Sequence, residues 1–265
     1  MRALRNSLII VGAVFIVAVL AIVGTKLFSD PSRSVNEAQS ESATSPAVRG
    51  QVSPAQKGSW TATAQGVPVY LPDNEDGEVL TEELAASEMK ACDPMSNPRA
   101  PEGNRVEQVH DRYLVFSTTD GPSRIEDGVP VGYAHTPAGA MVAYYNASAA
   151  IAPIHEDGSH DPLSKKAWNR LIEPGLDLDS IPVSKGIYSR DEAAFPFFFR
   201  VVGCNDETVT VEFANAYFAG GEPIAAVRAQ MVWIDDDWKI NREAPMDVRV
   251  VTSEEVKNWT RVKIG

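Results

Sequence analysis

Cysteine and histidine are scarce: Cys92 and Cys204 are the only cysteines among 265 residues, and there are four histidines. Two cysteines so far apart cannot supply a four-ligand structural zinc site, and no CxxC pair exists for thiol redox chemistry. A GxSxG nucleophile elbow is missing, and Gly220-Gly221 lacks the Lys and Ser/Thr that complete a phosphate-cradling loop. His155-Glu156-Asp157-Gly158-Ser159-His160-Asp161 is the one dense run of metal-capable side chains. It lacks the helical HExxH spacing, and its glycine and flanking prolines make it a solvated loop. No catalytic, cofactor-binding or metal residue is therefore assigned, and a non-enzymatic chain is expected. Positive charge is short as well. Residues 1–28 hold three basic and no acidic residues, leaving 21 basic against 36 acidic beyond them. Such a balance excludes direct nucleic-acid binding and disfavours anionic lipid surfaces.

What is present begins with an apolar run of seventeen residues, 8–24, from Leu8 to Gly24, of which twelve are Leu, Ile, Val or Phe. As a helix it spans about 26 Å, close to a hydrocarbon core of about 30 Å. Arg2 and Arg5 before it favour a cytoplasmic N-terminus. The run exceeds the usual signal-peptide length and no Ala-x-Ala site follows, so a transmembrane anchor is expected. Residues 29–59 lack aromatic residues and periodicity and read as a disordered stalk. The rest is expected outside the cytoplasm, where Cys92 and Cys204 suit a single long-range disulfide, with two buried thiols as the alternative.

Residues 60–125 read as an irregular leading segment with short strands near Trp60 and Tyr113 and one helix over 81–91. From 126 to 265 the signals are stronger. Thr136-Pro137 and Asp161-Pro162 are helix starts, with a cap followed by proline at the first helical position. Strands follow over 195–203, 208–218, 224–234 and 238–241, with 248–251 as an extension and a capped turn at Ser253. Tyr145, Trp168, Phe197, Phe199, Phe213, Trp233 and Trp238 are the aromatics that core or a pocket would use. Glu212 alternates with Val211 and Phe213 and is expected to face solvent, and Asp235-Asp236-Asp237 reads as a solvated turn.

Two helices followed by strands ending in Met231-Val232-Trp233-Ile234-Asp235-Asp236-Asp237-Trp238-Lys239-Ile240 resemble the nuclear transport factor two-like (cystatin-like) superfamily. That resemblance implies an α+β cone: a curved antiparallel sheet packed by two or three helices, carried here behind the transmembrane helix. Enzymes of the superfamily place a carboxylate in the mouth of the cone, for which Asp191, Glu192, Glu212 and Glu243 are the candidates. The segment Asp127-Gly128-Val129-Pro130-Val131-Gly132-Tyr133-Ala134-His135-Thr136-Pro137-Ala138-Gly139-Ala140 resembles actinobacterial envelope proteins linked to conjugative elements. Anchored members of the superfamily include assembly subunits of type IV secretion and conjugation machines, and proteins of lipid-importing envelope complexes have a similar plan. The resemblance implies an anchored scaffold with protein partners in an envelope complex and a possible homo-oligomer. An anchored small-molecule binder or enzyme, or a lipid-import accessory protein, is the alternative.

Overall fold

Thr136 and Pro137 start a helix because one supplies a side-chain acceptor and the other needs no amide donor. The Thr136 hydroxyl accepts from Gly139 N–H, and α1 (Pro137–Ile151) runs from there until Ala152 turns extended. Its buried residues lie on every side, so this helix is a central element and not a surface one. Asp161 repeats the device, accepting from Ser164 N–H to start α2 (Pro162–Leu171). These elements belong to a computed structural model that describes residues 58–63, 66–94, 97–152, 160–175, 178, 195–215, 224–244 and 246–265. The expected anchor and stalk lie outside them.

Around α1 the chain is mostly sheet. β1 (Ser59–Ala62), β2 (Pro68–Leu71), β3 (Arg105–Val109) and β4 (Arg112–Phe116) form a four-stranded sheet in sequence order. β2 and β3 pair in parallel, the other neighbours antiparallel. β5 (Arg124–Glu126) and β6 (Val129–Val131) make a separate hairpin whose turn residues, Asp127 and Gly128, both have positive φ. β7 (Pro196–Cys204), β8 (Thr208–Asn215), β9 (Ile224–Ile234) and β10 (Asp237–Ile240) form an antiparallel meander. β11 (Asp247–Val251) pairs with β9 and β12 (Thr260–Arg261) with β7, and α3 (Ser253–Val256) lies between them in sequence.

One apolar cluster joins both sheets to α1: Val69, Val106 and Val115 on one side, Met141 and Ala147 in the helix, Val211, Phe213, Val227 and Trp238 on the other. The leading segment thus contributes core, not only wrapping. A second, smaller cluster of Ala214, Ala226, Val256 and Trp259 covers part of the far face of the six-stranded sheet.

The expected α+β cone is overturned. Among the described residues there are three sheets, of four, six and two strands, with three α-helices, where one curved antiparallel sheet was expected. The transmembrane helix in that expectation, at residues 8–24, lies outside the described residues, and no helix among those described is long and apolar enough to cross a membrane. The expected helix over 81–91 is also absent apart from a 3-10 turn at Met89–Ala91. Its amide groups are used elsewhere, Ala85 N–H on Thr119 O and Glu88 N–H on His135 O. Hydrogen bonds to distant residues of the same chain here override strong local helix propensity.

Candidate functional site

The segment from Asp127 to Ala140 is the natural place to look for chemistry, and its residues are occupied in structure. After the β5–β6 hairpin, Gly132 N–H and Tyr133 N–H donate to the two oxygens of Asp237, at 2.7 and 3.0 Å. Gly132 needs its positive φ of 75° for this approach. Ala134 O accepts from Trp238 Nε1 at 2.8 Å, and a Cβ on Gly139 would collide with that same carbonyl. The acidic turn is therefore divided. Asp235 and Asp236 are exposed at positive φ, while Asp237 is buried and its carboxyl pushed upward by burial, against three amide hydrogen bonds.

His135 leaves this segment sideways. Its ring stacks on Trp233 with centroids 4.1 Å apart and tilts against Trp238 at 5.4 Å. Nδ1 lies 3.0 Å from Ser87 Oγ, and burial lowers the imidazole pKa, with Asp206 opposing. Ser87 lies in the extended strap that takes the place of the expected helix. Just beyond it, Cys92 is bonded to Cys204 at the end of β7, with their Cα atoms 6.3 Å apart. The disulfide ties the connection between β2 and β3 to the six-stranded sheet, and His135 is hydrogen-bonded to the strap through Ser87 Oγ and the Glu88 N–H.

The far face of that sheet departs from the expectation of a solvent-facing carboxylate. Glu212 is fully buried, not solvent-facing. Arg200 donates to one of its oxygens at 2.9 and 2.7 Å, and Arg249 to the other at 2.6 Å, with Arg228 more distant at 3.4 Å. Burial raises the Glu212 pKa, but Arg249 and Arg200 outweigh it and the net shift is downward. Arg249 continues to Glu255 at 2.5 Å, and Trp259 lies beneath the guanidinium of Arg200 at 4.7 Å. The strand register Arg200↔Glu212↔Arg228 sets this row of alternating charge. Charged residues in the middle of otherwise apolar strands were the available signal.

Arg112 and Glu107 also went unassigned in the sequence. Arg112, with no exposed area, joins the end of α1 to the start of α2. It donates to Ala149 O and Ala152 O at 3.1 Å, to both Asp161 oxygens at 3.0 Å and to Ser164 Oγ at 2.8 Å. Burial would raise the Asp161 carboxyl, but Arg112 and Ser164 hold it down at about 2. Glu107, buried on β3, is paired with Arg105 and accepts Glu78 N–H at 2.8 Å. Arg105 in turn stacks over the ring of Tyr70 at 4.1 Å.

The remaining sequence candidates are dispersed. Tyr145, Phe199, Phe213 and Trp238 are buried in the main core, with Tyr145 tilted on Phe195 at 5.7 Å and Phe213 on Tyr144 at 5.0 Å. Trp168 and Trp233 are half-buried, and Phe197 is on β7 with its side chain outside the described set. Asp191, Glu192 and His155 are likewise outside it, and Glu243 is exposed. His110, at positive φ in the β3–β4 turn, pairs with Asp76 at 2.9 Å. Among the described residues no group of three or more His, Cys, Asp or Glu side chains could hold a metal ion.

A family model described as Domain of unknown function (DUF8175) matches residues 70–261. The chain belongs to this family. The match covers β3 to β12 whole, both long helices and the disulfide, and leaves out β1. No curated protein and no solved structure matches the chain.

Proposed function

We propose that this DUF8175 chain is a non-enzymatic assembly subunit of an envelope complex, held at the cell membrane through residues 8–24 with its folded domain on the extracytoplasmic side. The observation that carries the reading is the commitment of its buried charged groups to one another. Arg112 joins two helices and Glu212 joins three strands, each through several direct hydrogen bonds. Such groups rigidify a scaffold and have little capacity left for a substrate. The Cys92–Cys204 bond supports the extracytoplasmic placement, because such bonds persist in oxidising compartments. Conjugative transfer is the setting that the resemblance of Asp127 to Ala140 suggests for the complex.

The test is protease accessibility on intact cells combined with cross-linking in the membrane. The folded domain should be cleaved from outside, and cross-linking should capture other envelope proteins or further copies of the chain. A protected domain, or a chain recovered only as monomer, overturns the proposal.

A further inference from the structure

Among the described residues two large apolar side chains are strongly exposed, Trp60 at 54% and Val250 at 70%. Their settings differ. Val250 follows Arg249 on β11, which also carries Asp247. Trp60 is on β1, the outermost strand of the four-stranded sheet, where all four residues Ser-Trp-Thr-Ala are exposed. Proteins usually guard such an edge with charge, proline, a bulge or a covering segment. The opposite edge of this sheet is guarded: Asn146 accepts Val115 N–H and donates to Val115 O, both at 2.8 Å. In the other sheet β12 is only two residues long and the edge strand β10 is bridged by Ile172. Among the described residues β1 has no such guard.

Residues 58–72 also contain no charged side chain, in a chain of net charge −12. Two copies of an acidic protein repel over most of their surface, and this edge lets them meet without placing like charges opposite each other. Resting on the assembly reading above, we infer that β1 pairs antiparallel with β1 of a second copy about a two-fold axis at Trp60. The two four-stranded sheets become one of eight strands, and the interface is isologous. In that register Trp60 faces its own equivalent and extends the aromatic row that Tyr70 begins, 5.3 Å away. Tyr70 is already fixed there, its hydroxyl accepting Gly58 N–H at 3.0 Å and donating to Glu78 at 3.2 Å. Four residues per strand make a small contact, and confinement of both copies to one membrane raises its effective concentration.

The test uses the full chain, in native membranes and in neutral detergent micelles. Trp60→Cys should form a disulfide-linked dimer on mild oxidation, while Val250→Cys, equally accessible, should not. Sedimentation should give a dimer for the unaltered chain and a monomer for Trp60→Lys with Thr61→Pro. Far-ultraviolet circular dichroism retained in Trp60→Lys and in Trp60→Lys with Thr61→Pro checks that the fold survives. Absence of the 60–60 link, linkage of Trp60→Cys to a different protein, or a dimer that persists in Trp60→Lys with Thr61→Pro overturns the pairing. Capture of other envelope proteins would then leave the assembly reading standing; capture of nothing would remove both.

Discussion

Glu107 and Glu212 sit on different sheets, and neither has any exposed area. Burial raises both carboxyls, but the outcomes differ in sign. Glu212 lies among three arginines and ends below its ordinary value, whereas Glu107 has Arg105 and one amide and rises to about 7. Glu107 lies deeper in the protein and has fewer donors, and both differences push its carboxyl up, whereas the arginines around Glu212 outweigh its burial. The six-stranded sheet thus holds a carboxylate kept ionised by its arginines, and the four-stranded sheet holds a carboxyl that gains a proton near neutrality. The two sheets are then two electrostatic regimes joined by one core and one disulfide.

Uncoupling the two should have the largest effect. Cys92 and Cys204 are 112 residues apart, and opening a loop of that size removes about 4–5 kcal/mol of stability on the chain-entropy account. Cys92→Ser with Cys204→Ser should lower the urea midpoint accordingly and expose the strap around Met89 to protease first. A midpoint that does not move would mean that the core alone couples the sheets. Glu212→Leu comes next. It leaves Arg200 and Arg249 facing each other without their shared acceptor, at a loss of about 3–4 kcal/mol, toward the lower part of the usual range because both arginines reach solvent. Equilibrium denaturation at pH 7 measures it, and a change under 1 kcal/mol would show that the cluster is dispensable.

Glu107 offers a test of sign. Its folded pKa of about 7 lies above the ordinary value of 4.5, so the folded chain binds this proton more tightly than the unfolded one. The stabilisation is complete below about pH 4.5 and is lost as pH rises through about 7, on the order of 3 kcal/mol at ~1.4 kcal/mol per unit. Glu212 and Asp161 run the other way, stabilising above their unfolded values and losing that contribution in acid, Asp161 as pH falls through about 2. Between pH 8 and pH 5 the unaltered chain should therefore gain stability from Glu107, and Glu107→Gln should flatten that gain. Asp237, also raised, keeps part of the slope. An unchanged slope in Glu107→Gln would place the titration elsewhere.

These contrasts mark what could be read in the sequence. Thr136-Pro137 and Asp161-Pro162 start helices through chemistry local to four residues, and both helices begin there. The β7–β10 meander follows from alternation and turn residues, which are local too. The disulfide was one of two readings until the strap brought Cys92 to Cys204. What escaped is non-local. Residues 105–109 fell within the segment read as irregular, yet they form a strand on which Arg105 and Glu107 pair inside the sheet. Glu212 alternates as a solvent-facing residue should, but α3 and Trp259, some forty residues later, close over the face where it lies. The helix propensity of residues 81–91 was legible and misleading, since Thr119 and His135 take its amides.

The smallest effect belongs to Arg228, and it sharpens what holds Glu212. Arg228 stands opposite Glu212 in the register, as Arg200 does on the other side. Position alone would make them equal. Geometry does not: Arg200 reaches Glu212 with two hydrogen bonds, while Arg228 offers one contact of 3.4 Å from a side chain 37% exposed. A long, solvated ion pair contributes little to stability. Arg228→Gln should therefore shift the unfolding free energy by no more than about 0.5 kcal/mol, whereas Arg200→Gln should remove well over 1 kcal/mol. Each measured in a double-mutant cycle with Glu212→Gln, the coupling should be large for Arg200 and near zero for Arg228. Equal couplings would mean that field across the strand ladder, and not direct hydrogen bonding, holds the Glu212 carboxylate ionised.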